Sequence, residues 1–339
     1  MGGLWNINNF ARGRKMNKKI SKAKVNSISN IKKIAVIGAG VMGSGIAQVF
    51  AQEGFYVLLN DIKDDFLQKA LKRIKFNLKA MKNEKVLTKE AVNSAIENLH
   101  LSTELSKVRE VDFAIEAITE ELNLKQKLFQ NIEKFVSSGT ILATNTSGIS
   151  ITAIASLTQF PERIIGMHWW NPPYIIPVIE IIRGEKTANK AVKLTRELVL
   201  KLKKKPVVVQ KDIPGFLGNR MQYALMREAI HLLESGIASA EDIDTMVKAG
   251  IGFKYPVLGP LETIDMAGMD IFYKVSKYLY KNLDASSEPP SLIWEKVREK
   301  KLGMKSKEGF YNYQNIDLEN LNRKRMKQFI ALLKQFGYY

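Results

Sequence analysis

The sequence predicts a doubly wound α/β sheet followed by an all-helical C-terminal domain, and three observations carry that expectation. Short apolar runs alternate with helical stretches through the first two thirds of the chain, as strands and crossover helices do. The first of these runs passes straight into a glycine-rich turn that opens a helix. Beyond Asp212-Ile213-Pro214-Gly215 the apolar spacing is helical, which puts a domain boundary near residue 213.

The elements follow in order. Ile34–Ile37 is a fully apolar run of the kind a buried parallel strand needs. It leads into Gly38-Ala39-Gly40-Val41-Met42-Gly43 and a helix from about Met42 to Gln52. A second strand, Tyr56–Asn60, ends at Asp61. Two helices occupy Asp64–Asn98 with a break near Lys82–Leu87, and Thr88 is placed to start the second of them. This hairpin is longer than a simple crossover. Further strands are read at Leu99–Ser102, Asp112–Ala117, Thr140–Ala143, Ile164–Met167, Val178–Ile182 and Val207–Val209, with helices at about 122–136 and 188–203. In the C-terminal domain, Met221, Leu225, Ala229, Leu232 and Leu233 keep helical spacing up to a stop at Gly236. Ser239, three residues ahead of Asp242, caps the next helix.

Composition narrows the function classes. A chain of 339 residues with 45% apolar and 25% charged residues has the makeup of a soluble two-domain protein. No apolar stretch approaches the roughly 20 residues of a membrane-spanning helix. The absence of cysteine rules out disulfides, thiolate metal sites and cysteine nucleophiles, and it fits a reducing, cytoplasmic setting. Three scattered histidines offer no metal cluster, and no metal is expected. A net charge of +18 raises the question of nucleic acid or membrane partners. Residues 1–30 hold seven of the basic residues and no acid, however, leaving +11 on the rest, and no nucleic-acid-binding motif accompanies that charge. The excess basic residues read as a lysine-rich solvated surface. Residues 1–30 read as a disordered basic extension. Either it is a presequence poor in arginine or translation starts at Met16, the preferred reading.

The glycine turn gains meaning from its context: a strand before it, a helix after it and an acid some 20 residues on. Gly38 permits the tight turn, Gly40 lets backbone N–H groups approach a diphosphate, and Gly43 lets helix and strand pack closely. The amides of Val41, Met42 and Gly43 then face the anion at the helix N-terminus. Asp61 would accept hydrogen bonds from ribose hydroxyls and repel a 2′-phosphate, which favours NAD over NADP. FAD is the other dinucleotide compatible with the pattern. The expected N-terminal domain is therefore a Rossmann domain over residues 31–213, with the helical hairpin inserted.

Of the three histidines, His100 falls in a short strand and His231 on a helix among Ile230, Leu232 and Leu233. His168 closes an apolar run and precedes Trp169-Trp170-Asn171-Pro172-Pro173, at the kind of strand end where α/β sheets bind ligands. Oxidation of an alcohol requires a base, and an imidazole titrates near neutrality. Glu180 interrupts the apolar strand Val178–Ile182, where a carboxylate needs a partner. The pair reads as general base and orienting acid.

Gly38–Gly45, Asn145-Thr146-Ser147, His168 to Glu180 and Pro214-Gly215-Phe216-Leu217-Gly218-Asn219-Arg220, taken together over residues 31–315, resemble the 3-hydroxyacyl-CoA dehydrogenase family. The resemblance implies an NAD-dependent enzyme that oxidises an L-3-hydroxyacyl thioester, with a helical substrate and dimerisation domain over residues 214–339. It implies His168 as base and Glu180 as its partner, Ser147 on the substrate oxygen, and Asn219 positioning substrate and histidine. It further implies Glu120, Lys125, Ser147, Asn171 and Lys305 as cofactor-contacting positions. Helix capping is the structural alternative for Ser147 and Asn219.

Two departures bear on substrate. The family commonly has Phe-Phe-Asn-Pro after the histidine and a second serine after Ser147, where this chain has Trp169-Trp170-Asn171-Pro172 and Gly148. The stretches around Asn171-Pro172-Pro173-Tyr174 and Gly259–Thr263 are similar to the branch holding lambda-crystallin and L-gulonate 3-dehydrogenase, which act on free hydroxy acids. The hairpin positions matching the serine and lysine that contact CoA are Asn77 and Glu84, with Lys82 and Lys85 nearby. A free 3-hydroxy acid and a non-catalytic NAD-binding role are the competing functions.

Overall fold

The computed structural model describes residues 27–338. The expected N-terminal extension lies outside the described residues up to Asn26, while Ile28–Asn30 form a 3-10 turn leading to buried Ile31. The chain forms two compact units, one running to Gly218 and including Phe329 onward, the other Asn219–Gln328.

The first unit carries an eight-stranded sheet. Its strands are β1 (Lys33–Ile37), β2 (Tyr56–Asn60), β3 (Leu99–Ser102), β4 (Phe113–Glu116), β5 (Ile141–Thr144), β6 (Ile164–Trp169), β7 (Val178–Ile182) and β8 (Lys205–Val209). Their order across the sheet is β3-β2-β1-β4-β5-β6-β7-β8. All neighbours pair in parallel except β6 and β7. The chain leaves β1 toward β2 and later returns to its other side with β4, so the crevice at the carboxyl ends of β1 and β4 is the topological switch point.

Among the described residues, six α-helices belong wholly to this unit: α1 (Val41–Gln52), α2 (Asp64–Asn83), α3 (Lys89–Glu97), α4 (Leu122–Glu133), α5 (Ile151–Ala155) and α6 (Asn189–Lys201). Strand residues alternate between two cores, one per face. Ile34 and Val36 join α1, α2 and α6 in the larger core, while Ala35 and Ile37 join α4 and α5 in the other. On α2 the buried positions Leu67, Ala70, Ile74, Asn77, Leu78 and Met81 repeat at three- and four-residue steps, which is why it lies flat on its neighbours. Thr88 caps α3 as its sequence position predicts, accepting the Ala91 N–H at 3.2 Å.

Several strand ends differ from their sequence reading: β1 and β8 start earlier, at Lys33 and Lys205, and β4 is one residue shorter at each end. β5 starts one residue later, because Thr140 turns its hydroxyl onto the Val111 carbonyl at 3.2 Å instead of joining the ladder. β6 extends through Trp169, so His168 lies inside the strand. Helix α5, capped by Ser150, was not legible among the short apolar runs.

The second unit is helical. It holds most of α7 (Gly218–Glu234), then α8 (Ala240–Met246), a π-helical turn (Val247–Ile251), α9 (Gly252–Lys254), α10 (Pro260–Ala267), α11 (Met269–Leu279) and α12 (Ser291–Arg298). It also holds the start of α13 (Leu318–Gln335). Gly236 ends α7 at φ +66°, and Ser239 caps α8 by accepting the Asp242 N–H at 3.0 Å. Glu234 on α7 accepts the Leu292 N–H and the Ser291 hydroxyl, tying α7 to α12. No helix among the described residues is long and apolar enough to cross a membrane. No cluster among them has the donors to hold a metal ion.

Candidate active site

The glycine turn sits at the end of β1. Gly38 has φ +104°, and a Cβ there would lie 2.5 Å from the Ala117 carbonyl oxygen, on the segment that follows β4. A Cβ on Gly43 would lie 1.8 Å from the Gly38 oxygen, so both positions admit only glycine. Gly40 is different: a Cβ there meets nothing within 4 Å, leaving open space before the turn. The first bond of the α1 ladder runs from the Ser44 N–H to the Gly40 carbonyl at 3.0 Å, so the amides of Val41, Met42 and Gly43 have no acceptor within the helix.

Asp61 follows β2 and accepts the Ala39 N–H at 2.6 Å and the Ile62 N–H at 2.7 Å. Burial pushes its carboxyl up, against the pull of the Ala39, Ile62 and Lys63 amides. Uncommitted amides at a helix N-terminus, open space over Gly40 and an acid at the end of β2 together fit a dinucleotide. Sequence reasoning missed Arg73 on α2. Its guanidinium donates to the Gly40 carbonyl at 3.1 Å and to the Ser44 hydroxyl at 2.9 Å, setting a fixed cation beside the turn.

A second cluster joins the ends of β4 and β5. Glu116 and Lys125, each 1% exposed, form an ion pair at 2.6 Å. Glu116 also accepts the Ile118 N–H and the Thr144 hydroxyl, both at 2.7 Å. Lys125 reaches Glu120 at 3.2 Å. Glu120 in turn accepts the Thr146 hydroxyl and, at 2.8 Å, the Ser147 N–H. Burial would push Glu120 up, but the Thr146 hydroxyl, the Lys125 charge and the Ser147 amide hold it below its ordinary value. The structure therefore brings Glu120, Lys125 and Ser147 together. It places the Lys125 ammonium beneath Glu120, while Glu120 and Ser147 are exposed.

The third group is the pair singled out in the sequence. His168 and Glu180 are direct partners in the antiparallel β6–β7 register. Both project from the face of the sheet that carries the smaller core, since Met167 and Ile181 beside them point into the larger one. The imidazole Nδ1 lies 2.7 Å from Glu180 Oε2. With the carboxylate ionised, Nδ1–H is the donor and Nε2 is left as the basic nitrogen. Glu180 Oε1 accepts the Leu217 N–H at 3.0 Å and the Gly218 N–H at 2.9 Å. The Trp170 indole donates to Oε2 at 3.3 Å. Burial alone would raise the Glu180 carboxyl. The hydrogen bond and charge of His168, with the Gly218 and Leu217 amides, outweigh it and hold the group below its ordinary value of 4.5.

Phe216 packs on His168 with ring centroids 5.7 Å apart, fully buried at φ +50°. Residues 216–218 entered the sequence reading as part of the Pro214–Arg220 motif but with no role of their own, because they act through backbone and packing. Asn145 links this group to the β5 loop by accepting the Trp169 N–H at 2.8 Å. Asn171 is exposed just after it. Asn219 and Lys305 belong to the second unit. Asn219 lies in the first turn of α7, and Lys305 is exposed in the turn bridged by Gly303 and Glu308.

Residues 33–213 match the model of the 3-hydroxyacyl-CoA dehydrogenase NAD binding domain, and residues 215–313 match that family's C-terminal domain. A similar curated protein is the 5-formyl-3-hydroxy-2-methylpyridine 4-carboxylate 5-dehydrogenase of Mesorhizobium japonicum. It is 37% identical over 308 residues, covering 89% of this chain and 97% of that protein. A crystal structure of an enzyme of that name, described as an NAD+ dependent dismutase, superposes with a TM-score of 0.84 at 36% identity, covering 91% of this chain and 99% of the other. The 3-hydroxybutyryl-CoA dehydrogenase of Bradyrhizobium diazoefficiens is 37% identical over 284 residues, covering 84% of this chain and 96% of that protein. With both domain models matched in order over its glycine turn and its paired histidine and glutamate, the chain belongs to the 3-hydroxyacyl-CoA dehydrogenase family of NAD-dependent oxidoreductases.

Proposed function

We propose that this protein oxidises the hydroxyl of an L-3-hydroxyacyl-CoA to the ketone, with His168 as general base. The observation that carries the reading is the buried His168–Glu180 pair, whose Nδ1 is committed to the carboxylate. The hydroxyl proton passes to Nε2 of His168, and Glu180 stabilises the imidazolium that forms. When bound, NAD would supply the two-electron acceptor, and the residues that would hold it are the Gly38–Gly43 turn, Asp61, Glu120 and Asn171, with Lys305 as the family resemblance implies. Lys125, beneath Glu120, keeps that carboxylate ionised. The Ser147 hydroxyl hydrogen-bonds the substrate oxygen, and Asn219 orients the reacting carbon.

A specific observation favours a second reading, a free hydroxy acid as substrate. Asn77, at the hairpin position where the family resemblance puts a CoA contact, is buried and donates to Gln48 Oε1 at 3.1 Å. A relative with 97% of its length matched is named for a pyridine carboxylate. The deciding experiment follows NADH formation with (S)-3-hydroxybutyryl-CoA beside free 3-hydroxybutyrate, L-gulonate and a hydroxymethylpyridine carboxylate. Turnover of the thioester alone supports the first reading, and turnover of free acids alone overturns it.

The same reading includes a homodimer formed through the helical unit. No residue of Asn219–Gln328 is buried, while Met221, Tyr223, Phe253, Leu261, Met269 and Tyr273 are exposed apolar side chains. Light scattering should give twice the 38.3 kDa chain mass, and a monomer at micromolar concentration would refute it. The cysteine-free composition supports a cytoplasmic location.

A further inference from the structure

Trp170 stands where the family pattern has a phenylalanine, and its indole does something a phenyl ring does not. Its Nε1–H donates at 3.3 Å to Oε2 of Glu180, the same oxygen that lies 2.7 Å from His168 Nδ1. The other oxygen carries the Leu217 and Gly218 amides. Each carboxylate oxygen thus takes two donors, which fills the four lone-pair sites of the group. The indole is seated for this contact. A Cβ on Gly218 would lie 2.3 Å from Trp170 Cζ2, so only glycine at 218 admits the ring there. The same ring stands 5.6 Å from the imidazole, centroid to centroid.

We infer that Trp170 is a positioning residue that sets how strongly His168 holds its proton, by sharing the Glu180 oxygen with it. This rests on His168 being the base. Oε2 divides its negative charge between two donors, so a proton on the imidazole is stabilised less than it would be by an unshared carboxylate. The indole N–H also restrains the carboxylate plane from outside the β6–β7 ladder and fixes the imidazole by way of Oε2. Within this unit, Glu180 on β7 is the ionisable group paired with the imidazole, and His168 is the ionisable partner of Glu180. Trp170 from the loop after β6 and Phe216 from the turn before α7 complete the contacts and carry no charge.

The test is a titration of the imidazole signals of the full-length protein labelled at histidine, comparing the wild type with W170F. Only three histidines are present, so the signal lost in H168Q identifies His168. Removing the indole donor should move the His168 midpoint up by about half a pH unit, the size expected for one hydrogen bond redistributed. The acid limb of kcat/KM should move with it, in any substrate found to turn over. A benzothienylalanine at position 170 keeps the ring shape without the N–H and should give the same shift should W170F fail to fold. A midpoint unchanged or lowered in the folded variants overturns the inference. Turnover surviving in H168Q overturns the base assignment instead, so the two failures are distinguishable.

Discussion

Glu180 and Glu116 are both buried carboxylates in the sheet-bearing unit, 2% and 1% exposed, and each is paired with a nitrogen cation or potential cation. Glu116 faces the Lys125 ammonium at 2.6 Å, with a hydroxyl and an amide completing its contacts. Glu180 faces an imidazole at 2.7 Å, with two amides and an indole around it. The difference lies in the partner. An ammonium keeps its charge across the neutral range, so Glu116–Lys125 is a fixed brace between β4 and α4. An imidazole gains and loses a proton in that range, so the Glu180 pair can take part in a reaction. Besides the imidazole, three neutral donors, two amides and an indole, serve the Glu180 carboxylate.

The largest effect that would sharpen this contrast is in turnover. His168→Ala should lower kcat by about 10²–10⁴-fold while leaving NADH affinity, read by fluorescence titration, nearly unchanged. Wild-type turnover in that variant would remove the distinction between the two pairs. Lys125→Met should instead cost about 3–5 kcal/mol of unfolding free energy in urea, because Glu116 is left charged in a dry site. A loss below about 1 kcal/mol would show that the brace is not structural. Glu180→Gln should lower kcat about 10²-fold with a smaller change in stability than Lys125→Met, since the glutamine oxygen still accepts an amide.

Two smaller effects test the surroundings. Asp61→Ala should weaken NADH binding about 10–100-fold, the loss of charge-assisted hydrogen bonds, and unchanged affinity would contradict a ribose-binding role. The pH dependence of stability should carry the sign of Glu180. Its folded carboxyl lies below the ordinary 4.5, so its contribution is present above that value and lost as pH falls through the folded one. The melting-temperature gap between wild type and Glu180→Gln should therefore narrow in acid below about pH 4.5, and a gap that widens there would break the assignment.

Much of the site was legible because burial makes some residues conspicuous. Glu180 stood out as an acid inside an apolar strand, and such a charge needs a partner. Gly38 and Gly43 stood out because a strand, a turn and a helix in quick succession leave no room for side chains there. Arg73 did not stand out, since an arginine on an amphipathic helix looks the same whether it meets solvent or a carbonyl. Lys125 was read as a contact to the cofactor, and its place beneath Glu120 depends on how α4 packs against β4, which no local pattern encodes.

The sequence by itself determined the order of strands and helices, the glycine turn and the residue types able to move a proton, because these depend on spacing and on side-chain chemistry. Tertiary structure decided that β7 turns back against β6, which sets His168 opposite Glu180. It also decided that two amides nearly forty residues further on close over the carboxylate. Strand register and loop return are settled by packing between distant segments, and a one-residue slip would send either side chain to the opposite face of the sheet.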